Sequence, residues 1–308
     1  MLVVSALLPV ILAIVAGYLL RRYAAIPLQS WQHMSFVTYY LFMPALEIKV
    51  LANKPLEQFP VSTLVLAVAA VLVLMTLWLM VWQRWCRPQS PATFTSLYQG
   101  AVRFNTFVAL VMADQLVGDD GVAAVALIAA LIILLVNLLC VLIFVLYLNA
   151  EGASIGLFLR ESFSNPLILG ALVGIGLNLS GLGLDGPLYS FVELMGSAAL
   201  PVGLLVVGAA LEPDRLRGSW EVIWTASAFQ LLLKPVFAVG VIAWLGLSGV
   251  YAIGLLLCFA VPAPSSAYVL ALKKGGDSET MAAILTVQTL LAALSMPLVL
   301  SLYQSPVF

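Results

Sequence analysis

Two short stretches set polar and helix-breaking residues inside otherwise apolar sequence: "AVRFNTFVAL" (101–110) and "CFAVPAPSSAYVL" (258–270). In the second, Pro262 and Pro264 remove amide donors and clash with the preceding turn, freeing carbonyls, and Ser265 and Ser266 follow at once. The first has no proline, so Asn105 and Thr106 alone mark a break. A helix that restarts after such a break presents unpaired N–H groups and the positive end of its dipole. Two restarts aimed at one place, with Asn105, Thr106, Pro262, Ser265 and Ser266 around it, suit an anion. Arg103 either draws that anion in or stretches toward a polar interface. Asn137 and Gln288 either line the same site or hold helices together. Lys234, just before Pro235, either pairs with Glu193 as a structural or coupling charge or stands alone in a cavity wall.

Other chemistries are excluded by residue type. The single histidine, His33, rules out an H-E-x-x-H zinc site, and no phosphate-binding G-x-x-x-x-G-K-[ST] loop is present. "GASIG" (152–156) fits the G-x-S-x-G pattern but has no strand before it. "NLS" (178–180) fits a glycosylation sequon, which would mean nothing in a bacterial protein. Cys86, Cys140 and Cys258 lack metal-ligand spacing and are expected to be small core residues. The chain is therefore not expected to be an enzyme, nor to hold a metal or cofactor.

The elements that must position these residues follow from composition. With 63% hydrophobic and 9% charged residues in 308, the chain is an all-α polytopic membrane protein. Ten apolar segments are expected, near 2–21, 31–52, 61–83, 96–117, 121–148, 163–181, 188–211, 219–246, 249–272 and 277–303. A net charge of −1 gives no reason to expect nucleic acid; lipid is the solvent. Arg21 and Arg22 follow the first segment, so it should be retained, with its N-terminus outside. Arg84, Arg87, Arg160, Arg215, Arg217, Lys273 and Lys274 then face inward, Lys49 and Lys54 outward, and both termini lie outside.

The chain also repeats. Pro9, Gly17, Pro44, Gly118 and Asp120 recur as Pro166, Gly174, Pro201, Gly275 and Asp277 at one ungapped offset of 157, and the same offset carries Asn105 onto Pro262. This reads as two five-helix units, 1–148 and 163–308, joined by a short cytoplasmic linker (149–162). An odd number of helices per unit makes the repeats inverted, a plan recurrent in secondary transporters with a midplane site. Ala13 and Gly17, with Gly170 and Gly174, give small-xxx-small spacing for close helix approach, either within the chain or across a dimer.

The stretches "RFNTFVAL", "NPLILGALVGIGLN", "AALPVGLLVVGAAL" and "VPAPSSAYVLALKKGGDSETMAAILTVQTL" resemble bacterial members of the auxin efflux carrier family, relatives of the plant PIN carriers. The resemblance implies ten helices as inverted five-helix repeats, in a fold like that of bile-acid–sodium symporters, with broken fourth and ninth helices that cross and bind organic anions. It further implies a scaffold from helices 1, 2, 6 and 7, which can dimerise, and a transport part from helices 3–5 and 8–10 that moves as an elevator. Its substrates are indole acetate-like anions, malate or malonate. Plant relatives carry a proline before the fourth-helix asparagine, where this chain has Phe104. The expectation is thus a multi-pass protein of a bacterial inner membrane that moves a small carboxylate by alternating access; an anion channel of the same fold is the alternative.

Overall fold

The computed structural model describes residues 2–24, 26–54, 56–148, 164–213, 216 and 218–303. The linker with its G-x-S-x-G stretch, and Arg160, Arg215 and Arg217, lie outside the described residues. All regular structure among the described residues is helical: α1 Leu2–Tyr23, α2 Leu28–Ala52, α3 Val61–Cys86, α4 Pro91–Val102, α5 Thr106–Val117, α6 Asp119–Leu148, α7 Pro166–Leu179, α8 Gly186–Ala209, α9 Trp220–Leu245, α10 Gly249–Ala260, α11 Ser266–Lys274 and α12 Ser278–Tyr303. Of these, α2, α3, α6, α8, α9 and α12 are long and apolar enough to cross a membrane, and α7 and α10 are shorter apolar helices.

The packing is that of a protein dissolved in lipid. On α12, Leu290, Leu294, Leu298 and Leu302 recur every fourth residue and are all more than half exposed. The opposite stripe, Ile284, Gln288, Ala292, Met296 and Leu300, is buried. Water would not tolerate so much exposed leucine, whereas hydrocarbon gives no reason to hide it. Glycine then sets how closely helices meet. A Cβ built on Gly17 of α1 would fall on the Leu205 carbonyl oxygen of α8, and one on Gly208 would fall on that of Ile14. A Cβ on Gly170 of α7 would sit 2.7 Å from Pro44 Cα of α2, and one on Gly174 would sit 3.2 Å from Ile48 Cα. The small residues expected to mediate either packing or dimerisation are thus spent on contacts within the chain.

Charges collect at two ends. Lys49 pairs with Glu193 at 3.1 Å and Lys54 with Asp120; elsewhere Arg21 meets Glu212 at 2.8 Å and Arg87 meets Glu221 at 3.4 Å. Asn178, first noticed as a sequon, instead donates its amide to the carbonyls of Leu51, Ala52 and Lys54 and so closes the C-terminus of α2.

Two expectations need correction. The fourth segment, expected from 96, begins at Pro91, because Ser90 caps it through the Thr93 amide and Pro91 occupies the first turn, where its missing N–H costs nothing. Cys86 is exposed rather than core, standing at the end of the π-helical turn that finishes α3; Cys140 and Cys258 are buried as expected. The ninth segment, by contrast, is interrupted at its prolines as expected, into α10 and α11.

Candidate functional site

The two breaks meet. The Asn105 N–H donates to the Pro262 carbonyl at 2.8 Å, so the gap between α4 and α5 touches the gap between α10 and α11. Each lower half ends in extended backbone, Arg103 at φ −71°, ψ 161° and Val261 at φ −77°, ψ 157°. Each upper half ends at a glycine with positive φ: Gly118 (73°) after α5 and Gly275 (79°) after α11, where a side chain would strain the backbone.

A break buried in an apolar interior must find partners for its backbone. The helix without proline opens because side chains from later in the chain take over its hydrogen bonds. Gln230 Nε2 donates to the carbonyls of Arg103 (2.9 Å) and Val261 (2.6 Å), bridging both breaks. Lys234 Nζ donates to Gln230 Oε1 at 2.6 Å and, at 3.4 Å each, to the carbonyls of Val102 and Arg103. Gln288 Nε2 donates to the Gly100 carbonyl at 2.8 Å, while its Oε1 accepts from the Ala263 N–H at 2.9 Å. All three side chains are fully buried. Gln230 lies in a π-helical turn of α9, Phe229–Leu233, a distortion that often accompanies function.

This sorts the residues singled out from sequence. Asn105 is buried, and its side-chain oxygen accepts from the amides of Phe107 (3.1 Å) and Val108 (3.3 Å), so it is the N-cap of α5. Gln288 belongs to the clamp on the breaks. Pro262 is buried and lends its carbonyl to the crossing. Lys234 does not pair with Glu193: that carboxylate is held by Lys49 and by the Tyr189 hydroxyl, toward the charged end of α2, while Lys234 is enclosed at the breaks. Gln230 was not among the sequence candidates. The signal available was a polar side chain four residues before Lys234 in "FQLLLKP".

A smaller set remains open. Ser265 and Ser266 are exposed and Thr106 is half-buried. Among the described residues, the amides of Thr106, Ser265 and Ser266 make no hydrogen bond, whereas those of Ala267 and Tyr268 are used by the turn itself. The Arg103 guanidinium reaches this spot with long contacts, 3.3 Å to Ser266 Oγ and 3.4 Å to Asn137 Oδ1, and also interacts with the Cys140 thiol. Its Nε is buried without a partner, and no carboxylate among the described residues pairs with it. Three free amides, a hydroxyl and an uncompensated cation at two helix starts are complementary to a carboxylate. Among the described residues no group of His, Cys, Asp and Glu side chains could hold a metal ion.

No curated protein matches the chain. The family described as "Membrane transport protein" matches residues 152–300, the stretch that carries α7 to α11, nearly all of α12 and every side chain of the clamp. Over that stretch, just under half of the chain, it is similar to this family of membrane transporters, the auxin efflux carrier (PIN-like) family.

Proposed function

We propose that the protein is a secondary transporter which moves a small organic carboxylate across a membrane by alternating access, binding it where the two broken helices meet. The observation that carries this reading is Arg103, a cation without an acidic partner among the described residues, converging with Ser266 and the free amides of Thr106, Ser265 and Ser266. Asn137 lies at its edge.

Inverted five-helix repeats, and with them ten crossings, are supported by contacts that exchange under the 157-residue offset. Gly17 against Leu205 becomes Gly174 against Ile48, the contact observed between α7 and α2. Gly118 becomes Gly275, and both end a helix with positive φ. Asn105 becomes Pro262, so the bond between them joins a position to its own counterpart. The basic residues of the loops favour a cytoplasmic side with Arg21, Arg84 and Arg87, which leaves both termini outside, as expected for a bacterial inner-membrane protein.

The test is uptake into proteoliposomes of purified protein with labelled malonate, malate and indole acetate. Saturable uptake that accelerates when the lumen is preloaded with the same acid supports a carrier; unsaturating flux without exchange supports the channel. Arg103→Gln should weaken binding by roughly tenfold to a hundredfold, the worth of about 1.5–3 kcal/mol for a hydrogen bond to a charged group. Uptake unchanged in a folded Arg103→Gln protein would move the site elsewhere.

A further inference from the structure

The proposed site leaves one ionisable group unexplained. Glu47 lies in the second half of α2, is 1% exposed, and its Oε2 has no hydrogen-bond partner among the described residues. No ion pair among the described residues involves it. It sits at a close seam between the two halves of the chain: a Cβ on Gly170 would come within 3.1 Å of Glu47 Cβ, and one on Gly174 within 3.1 Å of the Glu47 carbonyl oxygen.

The groups around it supply no counter-charge. The helix α7 carries no titratable residue. On α8, Glu193 is occupied by Lys49 and Tyr189. On α6, Asp120 is occupied by Lys54, and Cys140 interacts with Arg103. On α10, Cys258 lies within electrostatic reach of Glu47 and offers no positive charge. A carboxylate buried without a cation or a side-chain or backbone donor is far too costly, so in this conformation the group must carry its proton.

We propose that Glu47 is a proton-binding site through which transport is coupled to proton movement. The reasoning is linkage. In the packed arrangement seen here the proton cannot leave, because it would strand a bare charge between α2 and α7. It leaves only when those helices part enough to admit water. Proton release therefore favours one conformation and proton binding the other, which is the condition for coupling a proton to a conformational cycle. A monocarboxylate carried with one such proton crosses without net charge. The inference rests on the carrier reading for its transport consequence, but not for the proton site itself.

Two measurements separate these. Infrared spectra of the protein in nanodiscs, recorded from acid to alkaline pH, should contain a protonated-carboxyl band that persists after ordinary carboxylates have ionised. The band should vanish in Glu47→Gln and move in Glu47→Asp. Its absence from the wild-type protein, or its survival in Glu47→Gln, overturns the proton site. Next, malonate, malate and indole acetate are each offered to proteoliposomes containing a trapped pH-sensitive dye. Wild-type protein should move protons with the transported acid, and Glu47→Gln should lose at least tenfold of that proton flux, its remaining uptake no longer driven by a pH gradient. Proton flux equal to wild type in Glu47→Gln overturns the coupling. If wild-type protein transports none of the acids, the carrier reading fails while the infrared result still decides the proton site.

Discussion

Replacing Gln288 by methionine should cost far more than its loss of polarity suggests. Methionine nearly matches glutamine in volume, so no large cavity is made, and only the two hydrogen bonds go. They are well formed, at 2.8 Å to the Gly100 carbonyl and 2.9 Å from the Ala263 N–H, and the side chain is fully buried. Each orphaned backbone group costs about 1–3 kcal/mol, which sets the loss at about 2–6 kcal/mol for the pair. Intramembrane hydrogen bonds average only about 0.6 kcal/mol, or roughly 1.2 kcal/mol for two, because a chain unfolded within the membrane finds other partners. Here the higher range applies. The unfolded segments can close their own helices across the breaks and satisfy both groups, whereas the folded crossing holds them apart. Equilibrium unfolding in mixed micelles titrated with a denaturing detergent measures the difference. Gln288→Glu, protonated in this buried setting, keeps an acceptor for Ala263 and an O–H donor for Gly100 and should stay closer to the wild type than the methionine variant. A methionine variant within about 0.5 kcal/mol of the wild type, the ordinary scale of a neutral substitution, would refute the clamp.

Two further outcomes are expected. Gly17→Ala should lose about 1–3 kcal/mol or fail to accumulate, since the new methyl meets the backbone of α8, whereas Gly176→Ala, which faces open space, should gain up to about 1 kcal/mol from helix propensity; parallel unfolding of both checks this. In intact cells an impermeant thiol reagent should label Glu57→Cys directly but reach the native, exposed Cys86 only after permeabilisation, with the buried Cys140 and Cys258 silent; the reverse pattern would overturn the proposed orientation.

What was legible in the sequence is what local chemistry controls. Proline and glycine mark the breaks and the tight seams, so Pro262, Gly17, Gly174, Gly118 and Gly275 stand out and share one register. Apolar runs locate the long helices to within a few residues, as with 219–246 against Trp220–Leu245. Partnerships across the chain were not legible. Gln230 reaches a carbonyl 127 positions away, and no local pattern names that partner. Glu193 was matched with the wrong lysine because charges of opposite sign attract at any spacing, and only depth in the fold decides which can meet. Asn105 was correctly placed at a break, but the structure gives its oxygen to the next helix rather than to a ligand. The break in the fourth segment formed without the proline of plant relatives because Gln230, Lys234 and Gln288 hold it open, and none of them is near it in sequence.

That clamp is lopsided. The bond from Asn105 to Pro262 treats the two halves of the chain alike, yet Gln230, Lys234 and Gln288 all come from the second half. Their counterparts at the repeat offset, Val73, Leu77 and Leu131, are apolar. If the two halves exchanged conformations perfectly, an inward-open and an outward-open state would be degenerate, equally populated in the absence of substrate. Three polar anchors on one side remove that degeneracy, because they brace the crossing against one half only. The resting protein should therefore favour one face of the membrane before any ligand arrives, and apolar substitutions at Gln230 or Gln288 that the fold survives should shift that preference toward balance.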